Sequence, residues 1–354
     1  MTRPRRVVVV GGANVDVVAR CGGPADPGSS TPGLVTVCDG GVGRNIAENL
    51  ARLGTPVALV APFGADPEGA ALRERCAAVG IDVAHAVASP LPTSRYVAVL
   101  DERGELVQGI NDMRAVDALS PRDLAPALAS LTSADVVVVD ANLPVPVLAA
   151  VGRAAAAVGA PVIAEPVSVA KAPRLLDTAM PPPWLVTPNA AELAALGGLA
   201  TSASRGKSTP HSVQGLQIRP TSASRTSLGG PPDTRAATGG DEARDDQLPA
   251  AEALLERGVQ AVWLRLGSRG SVLVRADGPT IETPAPAVEA ADVTGAGDAL
   301  LAGFLHAWVS GADLSDALTH AHAVAALTVA DRHTVRPDLS PALVERFVTT
   351  GGIA

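Results

Sequence analysis

The chain is predicted to fold as an α/β domain built on a doubly wound, mostly parallel sheet flanked by helices, with a small β-sheet lid. Three observations predict it. Short valine-rich runs alternate with alanine-rich stretches of helical periodicity, the rhythm of strand–helix–strand units. The strand candidates are apolar throughout, as strands covered by helices on both faces must be. Two segments, 15–40 and 94–112, instead alternate like exposed antiparallel strands, with Ser94-Arg95-Tyr96-Val97-Ala98-Val99-Leu100 the clearest. They would project from the main sheet as a lid.

Each element follows from its own residues. Four valines at 7–10 form the first strand, and Gly11-Gly12 close it. A helix over 45–53 leads to a strand at 57–60, and a second helix spans 68–78. Strands at 135–139 and 161–164 bracket a helix over 145–157. The strand at 184–186 feeds a helix over 189–196, with Thr187 as its cap and Pro188 at the first helical position. A helix over 250–256 precedes strands at 261–266 and 271–274. The apolar run Leu300, Leu301, Ala302, Phe304, Leu305 then begins a buried helix directly after Gly295-Ala296-Gly297-Asp298. Residues 201–246 break this rhythm. They are rich in Ser, Thr, Gly, Pro and Arg and repeat TSASR at 201–205 and 221–225. Such a composition buries too little apolar surface to offset its ordering entropy, so an inserted disordered segment is predicted within one domain spanning 1–354. Its basic residues could meet an acidic partner, or it is a plain tolerated insertion.

Composition narrows the function. Of 354 residues, 47% are apolar but only 2% aromatic, so the core is built from Ala, Val and Leu. A net charge of −8, without a basic aromatic stripe, argues against a nucleic-acid surface. Cys21, Cys38 and Cys76 form no CxxC pair, which suggests free thiols rather than a disulfide or zinc framework. The N-terminal valine run is too short for a secretory signal, and no stretch reaches the ~18 apolar residues of a membrane span. A cytoplasmic protein is expected.

The stretch ADVTGAGDAL, residues 291–300, places a carboxylate after a glycine-flanked turn at the start of a helix. Asp298 could simply cap that helix. The glycines on both sides of Ala296 ask for more, because they strip side chains from the loop and open its amides to an anion. A carboxylate beside such a site can take a proton from an attacking hydroxyl.

The full run Asp292-Val293-Thr294-Gly295-Ala296-Gly297-Asp298 resembles the signature of the ribokinase-like (PfkB) family of sugar and nucleoside kinases. A second stretch, Gly40-Gly41-Val42-Gly43-Arg44-Asn45 followed by a helix through 54, resembles that family's early signature. The likeness extends over almost the whole chain outside 201–246. Within the family, several stretches are most similar to pseudouridine kinases. These are Gly12-Ala13-Asn14-Val15-Asp16, the 41–47 stretch, Ile110-Asn111-Asp112-Met113, Asp140-Ala141-Asn142, and Glu165-Pro166-Val167-Ser168 with Lys171. Glu165 stands where an aspartate is common.

The resemblance implies a ribokinase-like fold, ATP and Mg²⁺ as cofactors, and transfer of phosphate to the 5′-hydroxyl of pseudouridine. Asp298 would be the base, and the amides of Gly295, Ala296 and Gly297 an anion hole. On the substrate side, Asn14 and Asp16 would hold a vicinal diol, although Asp16 could be a turn residue. Gly41 and Gly43 would let backbone approach the ribose, and Asn45 could bond a hydroxyl. Tyr96, Asn111 and Met113 on the lid could face the base, with packing a competing role for Tyr96. Asn142 offers donors and acceptors suited to a uracil edge. On the nucleotide side, Asn189 and Glu192 match an Asn-x-x-Glu motif in which Glu192 helps hold Mg²⁺ through water, against the plainer possibility of a solvated helix start. Gly267, Ser268 and Gly270 resemble a turn touching ATP phosphate. Asp292 and Thr294 match positions that bind a monovalent cation such as K⁺, with carbonyls from 324–332 completing the site. A homodimer through the lid is also implied. The alternatives are a ribokinase or other sugar or nucleoside kinase, and a non-catalytic nucleoside-binding regulator. His320 and His322, two apart on a helix, do not form a metal pair. His333 could line the nucleotide pocket or lie on the surface.

Overall fold

The computed structural model describes residues 6–24, 28–176, 179–197 and 247–351. The segment expected to be disordered, 201–246, lies outside the described residues. In chain order, β1 (Val7–Val10), β2 (Asn14–Cys21) and β3 (Gly33–Gly40) lead to α1 (Val42–Arg52) and β4 (Val57–Val60). Then come β5 (Pro62–Gly64), α2 (Pro67–Ala78), β6 (Val87–Ser89), β7 (Arg95–Leu100), β8 (Leu106–Asp112) and two short helices, α3 (Arg114–Asp117) and α4 (Ala125–Ala129). The middle of the chain supplies β9 (Val136–Asp140), α5 (Val145–Val158), β10 (Val162–Glu165), β11 (Leu185–Val186) and α6 (Ala190–Leu196). After the insertion follow α7 (Leu248–Glu256), β12 (Ala261–Arg265), β13 (Ser271–Arg275), β14 (Ile281–Thr283), α8 (Ala296–Val309), α9 (Leu314–Val329) and α10 (Pro341–Thr350).

Eight strands form the main sheet in the order β14-β13-β12-β11-β10-β9-β1-β4, parallel from β4 to β12 and antiparallel at the β13–β14 edge. Successive residues of a strand face opposite layers. Val7 and Val9 join the cluster made by α1, α2, α8 and α9, while Val8 and Val10 join the cluster made by α5, α6 and α7. With both faces covered, all four valines are buried, which explains the unbroken apolar runs. Trp263 and Phe304 pack with tilted rings, centroids 5.1 Å apart, in the first layer, two of the few aromatic rings in a core otherwise of small side chains.

The exposed segments form a separate four-stranded sheet, in the order β3-β2-β7-β8, as the alternation at 15–40 and 94–112 predicts. Within it Asp16 pairs with Cys38 on one side and Tyr96 on the other, and Tyr96 pairs with Asn111. Cys38, Asp16, Tyr96 and Asn111 therefore lie in one row across the sheet. Met113 falls just past β8, at the N-cap position of α3, and so is not on a lid strand.

Two expectations about helix starts are corrected. Thr187 does not cap α6: its hydroxyl donates to Glu165 at 2.5 Å. Asn189 is the cap, in a reciprocal capping box with Glu192, and Pro188 lies before the helix. Asp298 sits in the first turn of α8, yet the helix has no side-chain cap.

Candidate active site

The parallel strands deliver their carboxyl ends to one edge, where an open α/β sheet holds its ligands. Asp140, the last residue of β9, is the internal anchor of that edge. Its fully buried carboxylate accepts from the amides of Gly12 (2.8 Å), Gly43 (3.0 Å) and Asn142 (3.0 Å). One side chain thus ties the end of β1, the start of α1 and its own loop together. Burial pushes its carboxyl above the usual range, against the three amides that favour the charge. The glycines at 41 and 43 have an internal reason here. Gly41 adopts φ 99°, and a Cβ on it would meet the Gly12 carbonyl oxygen at 2.5 Å. A Cβ on Gly43 would lie 3.0 Å from the Gly11 Cα and 3.2 Å from Asp140.

The residues expected on the substrate side lie on the segments this anchor joins and on the small sheet. The Asn14 amide donates to Asp16, whose carboxyl burial pushes up to about 6 despite that bond and the nearby Arg44. Lys171 donates to the Asn142 Oδ1 at 2.6 Å, while the Asn142 NH₂, which also bonds the Asp140 carboxylate, lies beside Gly12, 3.3 Å from where a Cβ would stand. Asn45 is buried and donates to Asp298 Oδ2 at 2.8 Å, linking the early and late glycine motifs across 253 residues. Arg44 bonds Asn45, Glu48 and the Gly40 carbonyl and fixes that turn. Tyr96 holds its hydroxyl buried without a partner among the described residues, beside Gly109. Asn111 on β8 is exposed.

Asp298 has the properties of a proton acceptor. Burial raises its carboxyl to about 7; the Asn45 bond lowers it and the nearby Glu165 raises it. Gly295, at φ 77°, forms the turn and packs against Thr334 so closely that a Cβ would stand 2.0 Å from its carbonyl oxygen. Of the expected amides, that of Ala296 faces the Val293 carbonyl at 3.3 Å. Those of Gly297 and Asp298 have no acceptor among the described residues, which leaves the positive end of α8 open to an anion.

A connected acidic network lies next to this helix start. Glu165 and Glu192 are buried, and Arg265 Nη2 reaches both, at 2.8 and 3.4 Å. Burial raises the Glu192 carboxyl. Glu192 is therefore not a solvated helix-start residue. The sequence reading did not single out Arg265 or Asp140 as site residues. A lone charge ending the apolar run of β12 was the available signal for Arg265. The Gly267–Gly270 turn closes the β12–β13 hairpin, with Ser268 exposed on it.

The donor set can be tested against Mg²⁺, a hard cation that keeps several waters and takes one or two carboxylates plus substrate phosphates. Both Glu165 oxygens are engaged, by Thr187 and Arg265, while Glu192 Oε1 has no hydrogen-bond partner among the described residues. Among the described residues no group of three or more His, Cys, Asp or Glu could hold a metal. These residues fit an ion carried by phosphates and touched by Glu192, not a protein-built cage. At the other candidate cation position, the Thr294 amide and hydroxyl both donate to Asp292, at 2.8 and 2.7 Å. The Val329 carbonyl there accepts from the amides of Ala291 and Asp292. The remaining histidines have other partners: His320 packs on His306, His322 bonds Ser271, and His333 bonds Asp331 on the surface.

Comparison with known proteins identifies the family and the fold. A family model described as pfkB family carbohydrate kinase matches residues 4–216 and 232–340. The pseudouridine kinase of Escherichia coli (strain K12) is 29% identical over 343 residues, covering 97% of this chain and 96% of that protein. A ribokinase of Arabidopsis thaliana is 26% identical, covering 91% of this chain and 76% of that protein. Among solved structures, a carbohydrate kinase from Agrobacterium tumefaciens superposes with a TM-score of 0.73 at 27% identity, over 98% of this chain and 97% of its own. Arabidopsis ribokinase complexed with ribose and ATP gives 0.73 at 22% identity, over 99% of this chain and all of its own, a likeness of fold. Among the described residues, no helix is long and apolar enough to cross a membrane.

Proposed function

The chain belongs to the pfkB family of carbohydrate kinases, and from that premise we propose that it transfers the terminal phosphate of ATP to the 5′-hydroxyl of pseudouridine. The observation that carries a transfer reaction is Asp298, a first-turn carboxylate that caps nothing, is held by Asn45 and titrates near neutrality. Pseudouridine as acceptor is supported by the full-length likeness to the E. coli enzyme and by the stretches at 12–16, 110–113, 140–142 and 165–171.

In this mechanism Asp16 accepts hydrogen bonds from the ribose diol, and Asn45 and the Asn142 NH₂ face the nucleoside. Asp298 Oδ1, the oxygen not engaged by Asn45, takes the proton of the 5′-hydroxyl as that oxygen attacks in line. The open amides of Gly297 and Asp298 stabilise charge on the group in transit. Mg²⁺, when bound, neutralises charge shared by the ATP phosphates, with Glu192 as the residue that touches its shell. The Gly267–Gly270 turn and Asn189 would border the nucleotide, and Asp292 and Thr294 would hold a monovalent cation, which would supply positive charge near the glycine turn. We assign the reaction to the cytoplasm, a compartment that supplies ATP.

ADP release measured in parallel with pseudouridine, uridine, ribose and fructose 6-phosphate tests the assignment. The expected order of kcat/KM puts pseudouridine first. Ribose first would make the protein a ribokinase, and no ADP release with any acceptor would leave a nucleoside-binding regulator.

A further inference from the structure

Arg265 carries more than an ion pair. It ends β12 at the carboxyl edge of the sheet, and its backbone amide donates to the Pro188 carbonyl at 2.8 Å, which places it beside the start of α6. Its side chain is only 14% exposed. Nη2 serves Glu165 and Glu192. Nη1 points the other way, towards the first turn of α8, lying 2.8 Å from where a Cβ on Gly297 would stand. No acceptor for Nη1 is found among the described residues. A buried guanidinium nitrogen with open donors is costly to leave empty, and here it stands next to the open amides of Gly297 and Asp298.

Resting on the kinase reading above, we propose that Arg265 grips the phosphoryl group being transferred, as a phosphate-contacting residue of this site. Three carboxylates, Glu165, Glu192 and Asp298, lie close to the guanidinium, and a fixed cation there offsets their repulsion of an incoming phosphate, beside the open amides of the turn. A planar guanidinium can keep one nitrogen on the carboxylates and present the other to a phosphoryl oxygen, which a compact ammonium does less well. The site it faces is the turn carrying the base, so the phosphate it touches is the terminal one. Glycine at 297 is what leaves room for the guanidinium.

The competing role is purely structural, neutralising Glu165 and Glu192. Arg265→Lys separates the two, since it keeps the charge for the carboxylates and loses the fork. Gly297→Ala is the second variant, because it crowds the flexible end of Arg265 without removing any charge. Calorimetric binding of ATP and of ADP in excess EDTA, with kcat and the thermal midpoint, gives readouts independent of loaded-enzyme activity alone. In both variants ATP affinity is expected to fall by about 10-fold or more while ADP affinity changes less than about 3-fold, as loss of a charge-assisted bond to the terminal phosphate requires. In both, kcat should fall by roughly 10-fold or more. Equal ATP affinity in wild type and both variants, or parallel losses for ATP and ADP, would overturn the phosphate contact and leave the kinase reading intact. A wild-type protein that binds no ATP would remove both. The ATP-selective loss appearing without pseudouridine turnover would uphold Arg265 and displace only the acceptor.

Discussion

Asp298 sits where function and stability pull in opposite directions. Its charged form is disfavoured by burial, so the folded protein holds the proton more tightly than the unfolded chain does. Below the unfolded value near 4 there is no penalty; as pH rises towards the folded value of about 7 the penalty grows and then levels off. Asp298→Asn should therefore raise the thermal midpoint at pH 8, by a few kcal/mol of stability at most (about 1.4 kcal/mol for each tenfold change in proton affinity), and raise it several-fold less at pH 4.5, where the penalty has only begun to grow. The same variant should lose roughly 10²–10⁴-fold in kcat. Melting curves at the two pH values alongside turnover check this, and an active variant would remove Asp298 as the base. In the wild type, kcat/KM should rise with pH along a limb near 7 that the Asn variant lacks. Asp16→Ala should raise the nucleoside KM far more than the ATP KM, on the order of 2–3 kcal/mol for lost bonds to a diol. Equal shifts in both KM values would move Asp16 away from the ribose.

At the level of elements, side-chain periodicity made the strands and helices legible, because burial on one face or two leaves a pattern in the residues themselves. Their ends were less so. The strand expected at 135–139 runs Val136–Asp140, and that single step puts Asp140 at the strand's carboxyl end, where its oxygens meet the amides of Gly12, Gly43 and Asn142. Periodicity reports faces; it does not report which distant amides a carboxylate will satisfy. Glycine motifs located the turn at 295–298 correctly for the same local reason that Gly295 needs φ 77°. Arg265 escaped because its partners, Glu165 and Glu192, are 100 and 73 residues away. Asp140→Ala should lower stability by about 2–4 kcal/mol, since it strands three buried amides. Denaturant midpoints with an unchanged m-value measure it, and wild-type stability would mean that water replaces the carboxylate.

For the whole molecule, the family match passes over 217–231, α6 packs on α7, and Arg257 reaches the Leu196 carbonyl at 3.4 Å. The chain thus leaves and re-enters the domain at neighbouring points. Excising 203–243 is expected to preserve a cooperative melt and turnover; loss of the cooperative melt would make the segment structural. The outer strand β3 exposes Leu34 (77%), Val35 (68%) and Val37 (64%), on both of its faces, at an edge with free backbone groups. Pairing with a second copy would cover them, so light scattering should give a dimer that Val35→Glu with Val37→Glu dissociates, and a monomeric wild type would refute it. The two sheets have one more consequence. Asp16 belongs to the small sheet, whereas Asp298 stands on a helix packed against the large one, so the proposed diol clamp and proton acceptor are mounted on separate frames. Swinging the small sheet outwards would part them, and a water molecule arriving then would find a base without a clamped, aligned competitor for its place. Under the proposed reaction, wasteful cleavage of ATP would be restrained by the architecture itself, because the reactive constellation would exist only while the acceptor bridges both frames.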